Sequence, residues 1–201
     1  MSDVSLASLA PPDVLARARK IKLLLFDVDG VLTDGKLFFL PAPPGSQPSQ
    51  IEFKGFHAHD GAAISLARIG GLRTGLITKR TSQTVALRAR DLKLEYVYQG
   101  VDDKQACFND IVKKAGLKPE EAAFVGDDVI DLPAMRAAGF SIAVKNARAE
   151  VKREAHYITP HAGGEGGLRD AVEFILKAQG KWKGTVDKYI AGENSEKGVG
   201  N

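Results

Sequence analysis

Short apolar runs alternate along this chain with longer stretches in which apolar residues recur every three or four positions. The first spacing belongs to buried strands and the second to amphipathic helices. The runs Ile21–Phe26, Thr74–Thr78, Tyr96–Tyr98, Ala122–Val125, Ser141–Val144 and Tyr157–Thr159 are predicted strands. Helices are predicted over Val14–Lys20, Gly61–Ile69, Thr81–Ala89, Asp103–Ala115, Ile130–Ala138 and Leu168–Ala178. Gly116 and Pro119 stop one of these helices, and Gly139 is expected to cap another. Strand and helix alternating in this way predict a parallel sheet with helices on both faces.

One stretch breaks the alternation. Lys36–Leu40 and Ile51–Lys54 read as a β-hairpin whose tip is rich in proline and glycine. Its strands are short for a hairpin standing alone, so it is expected to pack on something, such as another subunit. The segment His161–Gly167 reads as a flexible loop. The expected organisation is a leader over residues 1–20 with a short helix, a single domain over 21–180, and a flexible tail over 181–201.

With 201 residues, the chain can bury a full core in one domain. A net charge of +3, with dispersed basic residues, gives no reason to expect a nucleic-acid partner. No apolar stretch approaches a membrane span, so no membrane partner is expected. Met1–Pro12 lacks the pattern of a signal peptide, which makes a cytoplasmic location the expectation. Cys107 is the one cysteine; it falls in an apolar helical pattern and reads as a small core residue.

The chemistry lies where strands end. The first strand runs straight into Asp27-Val28-Asp29-Gly30, and a later one into Gly126-Asp127-Asp128. Thr78 closes another strand, and Lys104 opens a helix. In a parallel sheet these ends share one edge, where ligands bind. Carboxylates gathered there repel one another unless a cation or a proton intervenes. Acids for a divalent ion, a hydroxyl and an ammonium are the parts that phosphoryl transfer needs.

Asp27-x-Asp29-Gly-Val, Thr78, Lys104 and Gly126-Asp-Asp-x-x-Asp131 together resemble the four motifs of the haloacid dehalogenase superfamily. The likeness implies an α/β, Rossmann-like parallel sheet with a hairpin inserted after the first strand and no cap domain. A narrower likeness is to the capless phosphatases of 3-deoxy-D-manno-octulosonate 8-phosphate. It rests on Asp27–Gly35, Phe56–Gly61, Tyr98–Val101, Gly126–Pro133 and Ala162–Gly167. It implies Mg²⁺-dependent hydrolysis of a phosphorylated sugar acid, through an aspartyl-phosphate, in lipopolysaccharide biosynthesis. Asp27 would be the nucleophile and Asp29 the general acid and base. Mg²⁺ would be held by Asp27, Asp127 and the Asp29 carbonyl, with Asp128 and Asp131 supporting. Thr78 and Lys104 would hold the phosphoryl oxygens. A homotetramer is implied, its hairpins packed together and its subunits covering one another's sites.

Arg80 is the leading candidate for a substrate carboxylate, which a guanidinium can grip with two hydrogen bonds. Lys54 and His57 are further candidates. Arg80 separates this reading from its nearest rival, a nonulosonate 9-phosphate phosphatase, which tends to carry glutamate there. A phospho-receiver module uses similar residues, but on a differently placed strand and without a second acid for turnover. Two positions depart from the family pattern. Lys79 stands where glycine is usual and His59 where arginine is common.

Overall fold

The computed structural model describes residues 10–47 and 50–192; much of the expected leader and the end of the expected tail lie outside them. The strands are β1 (Leu23–Phe26), β2 (Phe38–Pro41), β3 (Gln50–Phe53), β4 (Arg73–Ile77), β5 (Tyr96–Tyr98), β6 (Ala122–Gly126), β7 (Phe140–Ala143) and β8 (Tyr157–Ile158). The helices are α1 (Pro12–Lys20), α2 (Ala58–Ile69), α3 (Gln83–Asp91), α4 (Lys104–Lys114), α5 (Leu132–Ala137), α6 (Ala149–Glu154), α7 (Gly167–Ala178) and α8 (Trp182–Ile190).

Six strands form one parallel sheet in the order β5-β4-β1-β6-β7-β8. All of β1 is buried because sheet and helices enclose it on every side. Parallel crossovers that run outward from β1 in both directions put helices on both faces. On one face α1, α2, α7 and α8 pack together, while α4 packs on α5 on the other. From β1 the chain moves out one way to β4 and β5, then returns to lay β6, β7 and β8 on the opposite side. The reversal leaves a crevice beyond the carboxyl ends of β1 and β6.

α7 buries Leu168, Ala171, Val172, Phe174, Ile175 and Leu176 against this core. Its amino end is held by a residue far away in sequence. Buried Asp60 on α2 accepts hydrogen bonds from Gly166 N (3.1 Å) and Arg169 N (2.9 Å). These supply the cap that Gly166, with no side chain, lacks.

Several expectations are corrected. Gly139 is not a helix cap, because α5 ends in extended backbone at Ala138. A Cβ on Gly139 would come within 2.4 Å of the Glu120 Cα, so close backbone approach requires the glycine. The predicted helix over Ile130–Ala138 begins as a 3₁₀ turn, Val129–Asp131, before α5. The segment His161–Gly167 is packed, not loose. A Cβ on Gly163 would meet the Gly30 carbonyl oxygen, and Gly164 N donates to Val31 O at 3.0 Å. The expected tail contains α8, which packs on α2 and α7. Helix α6 went unpredicted; Val151 is its one buried residue, so it carries little apolar periodicity.

β2 and β3 form a separate antiparallel pair outside the main sheet. Phe38 stacks on Phe53, yet Leu37, Phe38, Phe39, Leu40, Ile51 and Phe53 all remain substantially exposed.

Candidate active site

Asp27 follows β1 directly, and its N–H donates to Val125 O at 3.1 Å, continuing the pairing with β6. Asp127 follows β6 at nearly the same level, because Phe26 and Val125 are register partners. Leu76 is level with Phe26, so Thr78 also reaches this edge, where it is buried. Gly30, at φ 99°, lets the loop after β1 press on the Asp127 carboxylate. A Cβ there would lie 2.1 Å from Asp127 Oδ2.

Lys104 enters from the start of α4 and is nearly fully buried. Its Nζ lies 2.9 Å from Asp27 Oδ1 and 2.6 Å from Asp131 Oδ1. The other oxygen of Asp131 accepts from the N–H groups of Asp127 (3.0 Å) and Asp128 (3.4 Å). Asp131 therefore has both oxygens engaged, and it fastens Lys104 to the loop after β6. Asp128 turns outward and its Oδ1 accepts from Val129 N at 2.7 Å, as a cap on the 3₁₀ turn.

Oxygens of Asp27, Asp127 and Asp131 all lie within 4.8 Å of one another. Asp127 Oδ1 is buried with no hydrogen-bond partner among the described residues. Asp27 Oδ1 has the Lys104 ammonium at 2.9 Å and no other partner among the described residues. Burial, with Asp131 adding to it, pushes Asp27 up to about 6 against the pull of Lys104. Burial and the neighbouring carboxylates push Asp127 up to about 7. Unsatisfied buried carboxylate oxygens are a set of hard ligands suited to a divalent cation.

This arrangement makes stability depend on pH and metal together. The folded state holds protons on Asp27 and Asp127 that the unfolded chain has already released. Stability without metal therefore falls as pH rises from the ordinary carboxylate range to about 7. A cation between the two removes that penalty. Saturating Mg²⁺ is expected to raise Tm on the order of 5 °C at about pH 8 and by less than half as much at about pH 5. Equal shifts at both pH values in scanning calorimetry would show that these carboxylates are not the ligands.

A second charged cluster flanks Asp29. Lys54, its side chain fully buried, contacts Asp29 Oδ1, and Arg80 Nε lies 3.5 Å from Asp29 Oδ2. Glu52 joins them, with Oε1 2.8 Å from Arg80 NH2 and 3.6 Å from Lys54 Nζ. Sequence reasoning missed Glu52. The available signal was its i, i+2 spacing from Lys54, which puts two opposite charges on one face of an otherwise apolar strand.

His57 is taken up elsewhere, capping α2 by accepting from His59 N at 3.3 Å. His59 is exposed at the same turn. Lys79 needs no glycine-like conformation, since Lys93 is the only non-glycine residue with positive φ among those described. The half-buried Cys107 thiol is pushed up to about 11 by burial, which suits packing and not nucleophilic attack. A concavity of ≈ 1150 Å³ at the opposite, amino edge of the sheet is lined by Arg19, Lys22, Glu121 and Lys181, away from all these acids.

Residues 77–171 match the haloacid dehalogenase-like hydrolase family. The chain is 38% identical to the 3-deoxy-D-manno-octulosonate 8-phosphate phosphatase of Escherichia coli K12, over 84% of this chain and 86% of that one. It is similar to the crystal structure of the Yersinia pestis phosphatase of the same name. The TM-score is 0.80 and the identity 35%, over 86% of this chain and 90% of that one. The Moraxella catarrhalis enzyme, solved in complex with magnesium, phosphate and KDO, matches with TM-score 0.81 and 34% identity. That match covers 88% of this chain and 98% of the other. A shared sheet, an acid cluster at its switch point and this identity across nearly the whole fold place the chain among the haloacid dehalogenase-like hydrolases, in the family of the 3-deoxy-D-manno-octulosonate 8-phosphate phosphatases.

Proposed function

We infer that this chain is a Mg²⁺-dependent phosphatase that converts 3-deoxy-D-manno-octulosonate 8-phosphate to the free sugar acid and inorganic phosphate, a step that feeds lipopolysaccharide synthesis. The observation that carries the reading is the gathering of buried Asp27 and Lys104 with half-buried Asp127 at the sheet's switch point.

Asp27 and Asp127 would hold the metal by their side chains and Asp29 by its backbone carbonyl. Bound there, Mg²⁺ supplies positive charge against the phosphoryl oxygens and the two acids. An Asp27 oxygen attacks phosphorus, and the bond from phosphorus to the sugar oxygen breaks. Asp29 gives its proton to that leaving oxygen. Now a carboxylate, Asp29 takes a proton from water as the water oxygen attacks phosphorus. The phosphorus–Asp27 bond breaks, phosphate leaves, and both acids return to their starting states. Lys104 and Thr78 hold the equatorial oxygens, with Asp131 keeping Lys104 in place. Arg80 and Lys54 are the cations nearest Asp29 and would receive the substrate's carboxylate.

A homotetramer belongs to the same reading. Its support is the hairpin, whose exposed Leu37, Phe39, Leu40 and Ile51 need a cover that the described residues of one chain do not supply. One experiment tests both points: phosphate release from a panel of sugar-acid phosphates, assayed on sedimentation fractions with Mg²⁺ and with chelator. Release from the octulosonate ester, highest in the panel, lost with chelator and confined to the tetramer fractions, is expected. Preference for a nonulosonate ester would shift the substrate, and a fully active monomer would remove the covering role.

A further inference from the structure

Glu52 is held more firmly than a surface acid needs to be. Its Oε2 accepts a hydrogen bond from the Ser82 hydroxyl, and Ser82 also caps α3 by accepting from Val85 N at 3.3 Å. Its backbone carbonyl accepts from Thr84 Oγ1 at 3.2 Å. Its Oε1 accepts from Arg80 NH2 at 2.8 Å. Burial pushes the Glu52 carboxyl up, but the Ser82 and Arg80 bonds and the charge of Lys54 outweigh this and leave it below its ordinary value. Arg80 itself is well exposed, and its ring contact with Phe39 is loose, at 5.9 Å. An exposed arginine left to itself samples many rotamers, and ordering it on binding is costly.

We propose that Glu52 is a positioning residue for the sugar acid: it holds the Arg80 guanidinium beside Asp29 so that the remaining N–H groups face the incoming carboxylate. Resting on the reading of the preceding subsection, this adds a residue that acts through another. The geometry supports it from both ends. Glu52 is pinned to α3 and the hairpin, while Arg80 extends from the loop after β4 that carries Thr78. The bond uses one N–H of the guanidinium fork and leaves NH1 without a partner among the described residues. Lys54, two residues on from Glu52 and just past the end of β3, bridges from Glu52 to Asp29. Glu52 lies between the two cations and offsets part of their charge, so the arriving anion meets oriented cations without a large resting repulsion between them.

The test compares two substrates, the octulosonate 8-phosphate and an aryl phosphate that carries no carboxylate. In wild type the sugar acid should be strongly favoured in kcat/KM. Glu52→Ala should lower that preference about fivefold, mainly through KM for the sugar acid. Glu52→Gln keeps an oxygen facing Arg80 and should lose less. In an Arg80→Ala background, Glu52→Ala should cause no further loss of preference, because the residue it orients is gone. A role confined to docking the hairpin would lower both substrates together and leave the preference intact, overturning the proposal. An undiminished fivefold loss in the Arg80→Ala background would overturn it too. A wild type with no preference for the sugar acid would overturn this proposal and the substrate reading together, whereas the first two outcomes leave that reading standing.

Discussion

Replacing Asp27 by asparagine is expected to lower kcat by about 10⁴-fold or more, with the fold intact. On the proposed mechanism Asp27 is the nucleophile, and its loss removes the step that the other groups serve, so the effect is larger than a single binding contact explains. The amide is close in size and still offers Lys104 an oxygen, and Lys104 keeps its 2.6 Å contact with Asp131. The substitution also removes one of the carboxylates that crowd this edge. Ionised Asp27 is disfavoured in the folded state, with its pKa pushed to about 6 by burial and Asp131, so Tm without metal should not fall at neutral pH. Stability and turnover therefore separate cleanly. In the parent enzyme, acid quench during turnover should trap a hydroxylamine-sensitive acyl phosphate, and the variant should give none. A variant with kcat within tenfold of the parent would end the covalent assignment.

The second large effect is expected at Asp29, where asparagine should lower kcat by about 10²–10⁴-fold while leaving KM close to that of the parent. On the proposed mechanism Asp29 is the proton donor; it lies two residues beyond Asp27, with Lys54 and Arg80 on its two oxygens. The amide can still accept from Lys54, so its position is retained and only its proton is lost. Leaving-group chemistry sharpens the test. An aryl phosphate departs without needing a proton, so phosphorylation of Asp27 should continue while hydrolysis stalls. A burst of phenol followed by slow turnover is the expected trace. The sugar ester, whose alkoxide is a poor leaving group, should show no burst. Full kcat on the sugar ester would show that another group moves the proton.

Both predictions depend on residues that could be read from the chain before any coordinates. Asp27 and Asp29 end an apolar run, and Asp127 and Asp131 follow another, so local pattern alone places them at strand ends. Glu52 stands at no strand end, and its spacing from Lys54 does not name its partners Ser82 and Arg80, which follow a different strand. Asp60 shows the same limit. Nothing local marks it, yet it is buried as the distant cap of α7. Gly163 and Gly164 suggest mobility by composition, whereas the structure uses them to bring two backbones into contact. Gly139 likewise resembles a cap and is required by the nearby Glu120 backbone.

The amino-acid order alone determined the alternating α/β architecture, the strand ends and the acids that stand on them, because periodicity and chain punctuation act over a few residues. Only the folded chain decided which of those groups meet. The 4.8 Å gathering of Asp27, Asp127 and Asp131, the burial of Lys104 between two of them, and the pinning of Arg80 by Glu52 all join residues widely separated in sequence. Sheet order and crossover hand set those approaches, and neither is written in any local stretch of the chain.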